Sequence, residues 1–420
     1  MQSAMKSKTH LASESCNNHK ACGIENPPKS RFIGATLIVA GTTFGAGMLA
    51  LPMTSSKAGF INSSLLLIAM WVFTCFAALI SLEINLRYGG GYSISYLAEK
   101  TFGRLGKWIA SLSIGLLFYA LLSAYTTGGA SFLKTGIESF WGISVPFSVM
   151  AFAFITMLGV FVYSSTTHVD YANRFLLTFK VGIFLCLVCS LVPFVKAQYL
   201  ASPGGEPSAT WLAIPLFFTS FGFHGSIPTL INYVGPNVQY LRKVIIIGSI
   251  APLFIYLLWQ TVTLGVFPPS TGLTGLEEQN VSSFIHHLNS VTQSDAIGYF
   301  SNIFTFFAVS TSFLGVAIGL FDYLAESLKK KNTKGQRFQT SLLTFLPPLF
   351  FALFYPNGFI MALGYASIAL SILAIILPTA VAYKLRQAGG TTPYKVVGGN
   401  ATLALVFVLG FGIIAIELLR

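Results

Sequence analysis

Hydrophobic positions in this chain come in long runs separated by short polar stretches. Each run is roughly 20 residues, the length a helix needs to cross a ~30 Å hydrocarbon core. Eleven runs are read, at 33–55, 60–86, 107–132, 146–165, 173–195, 211–234, 243–267, 297–326, 339–356, 358–382 and 400–418. The strict alternation of an outer-membrane barrel strand is absent. The pattern predicts an all-α integral membrane protein of eleven transmembrane helices. The ninth and tenth runs are parted only by Tyr355-Pro356-Asn357-Gly358, and Pro347-Pro348 interrupts the ninth. Residues 1–31 are polar, with no apolar run before Phe32, so no secretory signal peptide is expected. The expected organisation is a polar cytoplasmic tail, 1–31, and a single transmembrane domain, 32–420.

Composition agrees with a lipid-covered surface. Hydrophobic residues make up 54% of the 420 positions and charged residues only 9%, against about 25% charged in a soluble domain. The 39 Gly and 38 Phe suit helices packed closely through small residues. A net charge of +12 in a soluble protein would raise nucleic acid as a partner; here loop positions facing the cytoplasm account for it. With the N-terminus inside, the inner loops and ends hold 20 of the 25 Lys and Arg, and the outer ones hold four: Lys57, Lys134, Lys196 and Arg420. The remaining one, Lys180, lies within a run. The loop 268–296 carries Glu277, Glu278 and Asp295 but no Lys or Arg, as an external loop can. The expected location is the cell inner (plasma) membrane, with the C-terminus outside. Of the five Cys, Cys75, Cys186 and Cys189 lie in hydrophobic runs. Cys16, His19 and Cys22 are too few to close a tetrahedral zinc site, so the tail is expected to be unstructured and neither metal nor cofactor is expected.

Two runs are interrupted in matching ways. The first contains Thr42-Thr43-Phe44-Gly45-Ala46-Gly47 and then Pro52; the sixth contains Thr219-Ser220-Phe221-Gly222-Phe223-His224-Gly225 and then Pro228. Gly and Pro within a span are tolerated where other groups or water satisfy the freed backbone. Paired interruptions in corresponding halves point to a transporter's midplane site. The sixth span crosses in the direction opposite to the first, so the pair predicts a five-plus-five inverted repeat with helices 1 and 6 broken and an eleventh appended. Glycines serving only close helix crossing are the plainer alternative. An interrupted helix offers unpaired N–H groups and a positive dipole end to a carboxylate, and freed carbonyls to an ammonium. A zwitterion such as an amino acid satisfies both. Enlarging Gly45 or Gly225 is therefore expected to abolish uptake.

The runs GATLIVAGTTFGAGMLALPMTSSKAGF (Gly34–Phe60), TSFGFHGSIPTL (Thr219–Leu230) and STSFLGVAIGLFDYL (Ser310–Leu324) resemble the hydroxy/aromatic amino acid permeases, with tyrosine- and tryptophan-specific permeases nearest. The resemblance spans roughly residues 31–418. It implies the amino acid/polyamine/organocation fold and uptake coupled to the proton gradient, with the aromatic amino acid and the proton as partners. Carried onto this sequence, the carboxylate meets N–H groups near Gly45, Ala46 and Gly47, and the amino group meets carbonyls around Thr42, Thr43 and Phe221. Gly222, His224 and Gly225 complete the second break. Related folds line the pocket with the third helix, where Tyr119, Ser123 and Thr126 share one face; a polar seam between helices explains them equally well. Phe44, Phe221 and Phe223 can stack an aromatic substrate, or simply pack. Serine and threonine permeases belong to the same family, and a sodium-coupled carrier is a further alternative.

An ionisable residue inside a membrane is a functional candidate by default. In proton-coupled relatives a fifth-helix lysine ammonium takes the place of a cation between the first and eighth helices. Lys180 would fill that role against carbonyls near Gly41 and Thr42 and the hydroxyls of Ser310, Thr311 or Ser312; a lysine snorkelling to the interface is the alternative. His224 suits either substrate or a hydrogen bond that holds the break. Glu83 and Arg87 read as an i,i+4 pair, and Asp322 and Glu326 as partners of Lys329–Lys331 or water. His168 and Asp170 sit in a cytoplasmic loop, and Gly89-Gly90-Gly91 is a turn without the setting of a nucleotide fingerprint. A membrane-embedded enzyme would need clustered catalytic groups near an interface, for which only His286-His287 offers a hint, and a non-transporting amino acid sensor is a third reading. The expectation is a transporter, not an enzyme.

Overall fold

The computed structural model describes residues 28–164, 166–202, 207–268, 281–329, 333–389 and 393–420. Cys16, His19, Cys22, Glu277, Glu278, Lys330 and Lys331 lie outside them, as do the side chains of His168 and Asp170. Regular structure among the described residues is helical: α1 Lys29–Thr43, α2 Gly47–Ser55, α3 Phe60–Arg87, α4 Ile94–Trp141, α5 Phe147–Ser164, α6 Thr166–Leu191, α7 Pro207–Ser220, α8 Ile227–Val234, α9 Val238–Leu264, α10 Val281–Thr292, α11 Asp295–Ser327, α12 Lys334–Phe354, α13 Phe359–Gln387 and α14 Gly399–Leu419. Nine of the described spans are long and apolar enough to cross a membrane, and α1 with α2, bent by 53°, makes a tenth if counted as one.

Three departures from the expected elements have local causes. Pro347 and Pro348 lie within α12 without ending it. With Lys334 and Arg337 in its first turns, α12 falls short of the apolarity that marks the other spans. The third run begins earlier than expected, because Ile94–Phe102 is helical and joins the span through a kink at Gly103, whose φ of 67° favours glycine. The loop 268–296 carries the amphipathic helix α10, which packs Phe284, Ile285 and Leu288 into the core.

One buried ion pair closes one end of the bundle. Arg386 of α13 donates to both carboxylate oxygens of Glu83, at 2.8 and 2.6 Å, and to the carbonyl of Gly399 at 2.8 Å. The Val396 N–H also donates to Glu83, at 2.7 Å. The expected Glu83–Arg87 pair is thus replaced: Arg87 reaches the carbonyl of Gly389 instead. A charge this deep is tolerable only with its partners present; removing one partner of such a pair typically costs about 3–5 kcal/mol. The Gly89-Gly90-Gly91 turn follows the same end of α3. Asn85 accepts from the Tyr92 N–H at 2.8 Å, and Gly91 lies against the Pro228 carbonyl, where a side chain would collide.

Inside the bundle, α11 packs against α4 and α6, α13 against α4 and α7, α9 against α1, and α2 against α7. The largest apolar cluster runs through Phe44, Ala46, Phe154, Phe217, Phe221, Tyr256, Trp259, Phe304 and Phe313. Phe44, Ala46 and Phe221 thus anchor both helix interruptions in the packed interior.

Candidate functional site: the two helix breaks and Lys180

The first break opens where α1 ends at Thr43. Gly45 N–H turns back to the Thr43 carbonyl at 2.8 Å, and α2 starts at Gly47. The Phe44 carbonyl and the Ala46 N–H thereby leave the helical ladder, and groups from other helices meet them. Lys180 of α6 donates to the Phe44 carbonyl at 2.7 Å and to Thr311 Oγ1 at 3.2 Å, with Nζ 4.5 Å from the centre of the Phe44 ring. Lys180 is 2% exposed, so its head points inward and does not snorkel to an interface. Its carbonyl partner is Phe44, two and three residues beyond the expected Thr42 and Gly41. The Ala46 N–H donates to Ser312 Oγ at 2.9 Å. Adjacent residues of α11 thus serve the ammonium and the freed N–H.

The second break follows Ser220. Phe221 N–H bonds the Phe218 carbonyl, Gly222 N–H that of Thr219 and Phe223 N–H that of Phe221, all at 2.9–3.1 Å. A single 3₁₀ turn, His224–Ser226, leads into α8. His224 Nε2 lies 3.1 Å from the Thr74 carbonyl. A carbonyl can only accept, so Nε2 carries the proton and Nδ1, which has no hydrogen-bond partner among the described residues, is the acceptor nitrogen. The two breaks approach each other where Gly47 faces Ser220, whose Oγ would lie 3.5 Å from an added Cβ.

The expected site residues divide by position. Thr43, Phe44, Gly45, Ala46, Gly47, Phe221, Lys180, Thr311 and Ser312 converge. Thr42 is exposed and its hydroxyl folds back on the carbonyls of Ile38 and Val39. Gly222 and Gly225 are also exposed, and an added Cβ at Gly225 meets nothing within 4 Å. Tyr119 is held away: its hydroxyl donates to the Leu343 carbonyl of α12 at 2.9 Å. Ser123 and Thr126 are buried on α4, and Thr126 bonds its own helix. Ser310 is buried, and its hydroxyl has no partner among the described residues. The three phenylalanines pack on the protein itself: Phe44 edge-on to Phe184, Phe221 edge-on to Tyr256, and Phe223 stacked on His224.

Two tyrosines escaped the sequence reading. Tyr256 of α9 donates to the carbonyls of Thr43 at 2.6 Å and Ser220 at 2.9 Å. Tyr125 of α4 is buried beside Ser312. A phenol in mid-span must find a partner, but with 17 Tyr in the chain that signal alone does not single these out. His286 and His287 lie on α10, apart from the breaks. His287 stacks on Phe267, and burial pushes its imidazole below the usual histidine range. No group of three His, Cys, Asp or Glu among the described residues could hold a metal ion.

The chemistry of the convergence is bipolar. Freed N–H groups at the start of α2 favour an anion, and the carbonyl ends of α1 and α7 favour a cation. A solved nucleobase-cation-symport-1 family transporter, in a closed conformation with bromovinylhydantoin bound, shares the fold: TM-score 0.61 over 94% of both chains at 15% identity. Sequence relatives are far nearer. The tyrosine-specific transport system 1 of Haemophilus influenzae is 39% identical over 91% of this chain and 95% of its own length. The tryptophan-specific transport protein of Pseudomonas aeruginosa is 34% identical over 90% and 92% respectively. The tryptophan/tyrosine permease family profile matches residues 29–417. This chain is accordingly a multi-pass membrane protein, a permease and not an enzyme, and it belongs to the tryptophan/tyrosine permease family.

Proposed function

We propose that this permease imports tyrosine, tryptophan or both across the inner membrane, driven by the proton gradient. The observation that carries the coupling is Lys180, whose buried ammonium bridges the Phe44 carbonyl and Thr311. Substrate carboxylate takes the N–H groups of Gly45, Ala46 and Gly47, displacing the Ser312 hydroxyl from Ala46. Substrate ammonium approaches the carbonyls around Thr43 and Phe221. Loss of the Lys180 proton removes the charge that ties α6 to the first break and to α11. That biases the inward- against the outward-facing arrangement. Proton and substrate thereby act on neighbouring residues of one helix, Thr311 and Ser312.

The topology belongs to the same proposal. Helices α1–α2 and α7–α8 are counterparts in a five-plus-five inverted repeat, α12 is the ninth span despite its polar start, and α14 is the eleventh. An N-terminus inside then places Arg420 outside, and an alkaline phosphatase fused after it should be active in the periplasm. The function is tested in proteoliposomes with radiolabelled Tyr, Trp, Phe, Ser and Thr, with and without sodium and a protonophore. Saturable uptake of Tyr or Trp that collapses with the protonophore and ignores sodium is expected. Preference for Ser or Thr, or a sodium requirement, would overturn the substrate or the coupling. Binding without counterflow would make the protein a sensor.

A further inference from the structure

The carbonyl ends of α1 and α7 meet at one side chain. Thr43 and Ser220 are the last residues of their helices, so each brings carbonyls without intrahelical partners and a negative dipole end. Two like ends pointed at one spot repel unless a donor stands between them. Tyr256 supplies it, from α9, with its hydroxyl 2.6 Å from the Thr43 carbonyl and 2.9 Å from that of Ser220. Its side chain is fully buried, and its ring is fixed edge-on against Phe221 at 5.4 Å. One hydroxyl carries one proton, which two carbonyls share, while the phenol oxygen keeps acceptor capacity of its own. The Thr43 carbonyl also accepts from the Gly45 N–H at 2.8 Å, so the Ser220 carbonyl and the phenol oxygen are the acceptors left short of donors, and a group with several N–H donors suits them.

We infer that Tyr256 is the positioning residue for the ammonium end of the substrate: it pins the ends of the two broken helices at a fixed separation and leaves an acceptor cluster matched to a primary ammonium. The inference rests on the amino acid reading above and names the residue that builds one half of that site. Ser312 stands at the other half, where its hydroxyl accepts from the Ala46 N–H at 2.9 Å.

The test uses the full chain in nanodiscs, with radiolabelled tyrosine displaced by tyramine, which lacks the carboxylate, or by 3-(4-hydroxyphenyl)propionate, which lacks the ammonium. Wild-type protein that fails to bind tyrosine defeats the amino acid reading itself. Wild-type protein that binds tyrosine but not tyramine overturns the role given to Tyr256. Tyr256→Phe keeps the ring and removes only the hydroxyl. It should weaken tyrosine and tyramine about tenfold, the size of one hydrogen bond to a charged group, and leave the propionate unchanged. Tyr256→His, which retains an N–H donor, should recover part of the tyramine affinity, and should accumulate in the membrane even where Tyr256→Phe does not. Equal losses for all three ligands, no loss at all, or equal failure of both variants would overturn the inference.

Discussion

At the break between α1 and α2, side chains from three other helices hold the backbone: Lys180 on the Phe44 carbonyl, Ser312 on the Ala46 N–H and Tyr256 on the Thr43 carbonyl. At the break between α7 and α8, the chain closes mostly on itself. Short backbone turns link Phe218, Thr219 and Phe221 to the residues just beyond them, and Ser226 Oγ returns to the Phe223 carbonyl at 2.7 Å. The outside holds there are Tyr256 on Ser220 and His224 on Thr74. Near-identical motifs thus give one break that depends on a charge and on α11, and one that is largely self-supporting. Whatever alters the charge or moves α11 acts first on the α1–α2 break. The coupling proposed for Lys180 enters the molecule on that side.

The largest effect should come from Lys180→Ala. The substitution removes the ammonium at the first break and leaves the Phe44 carbonyl without its donor, a loss of about 1–3 kcal/mol from an unsatisfied buried acceptor alone. Uptake driven by an imposed pH gradient should fall to background. Accumulation that stays concentrative and protonophore-sensitive would detach Lys180 from coupling and leave it a structural tie.

Gly45→Val comes next. An added Cβ would stand 2.9 Å from Ser312 Oγ, and the branch stiffens a backbone that must leave the helix. Overpacking of this kind costs about 1–3 kcal/mol, so uptake should drop about tenfold or more at comparable membrane abundance. The cause can be isolated. Gly45→Ala should be rescued in part by Ser312→Ala, because the collision is with that hydroxyl. Failure of the pair to couple in a double-mutant cycle would place the damage elsewhere.

Ser312→Ala alone should be milder, because it removes a neutral hydrogen bond worth about 0.5–1.5 kcal/mol. The substrate carboxylate proposed for the same N–H competes with that hydroxyl. The variant should therefore lower the melting temperature of the ligand-free protein while keeping tyrosine affinity within about threefold. A large loss of affinity with no change in melting temperature would show that Ser312 contacts the substrate and does not stand in for it.

Much of this was legible in the sequence. Runs of apolar residues fixed the helices, since little else can bury a backbone in lipid. The Gly-rich interruptions located both breaks, and Lys180 stood out because no loop could account for it. What escaped was long-range. Glu83 faces Arg386, 303 residues away, while the local rule favoured Arg87 four positions on. Tyr119, Ser123 and Thr126 share a helical face, yet Tyr119 is drawn to Leu343 of α12, while Tyr125, off that pattern, is buried beside Ser312. Periodicity says which residues share a stripe; it does not say which neighbour the stripe meets. The helix α10 was hidden for a different reason. Its moderate hydrophobicity, interrupted by His286, His287 and Asn289, reads as loop until a core is available for one face to cover.

The smallest effect should come from Gly225→Val, and it bears most directly on the difference between the breaks. By sequence Gly225 is the counterpart of the glycines in the first break, and symmetry predicts equal sensitivity. The structure separates them. Gly225 lies in the 3₁₀ turn His224–Ser226, its φ lies outside the range that favours glycine, and an added Cβ meets nothing within 4 Å. The Cβ of a valine therefore has open space around it, and a substitution free of a packing or conformational cause usually stays within about 0.5 kcal/mol. Counterflow of tyrosine should remain within about twofold of wild type, since about 0.5 kcal/mol corresponds to a factor of that size. Measured beside Gly45→Val at matched abundance, equal losses would mean that the open space at Gly225 is used during transport. The two breaks would then differ in how they are held at rest but not in what they do.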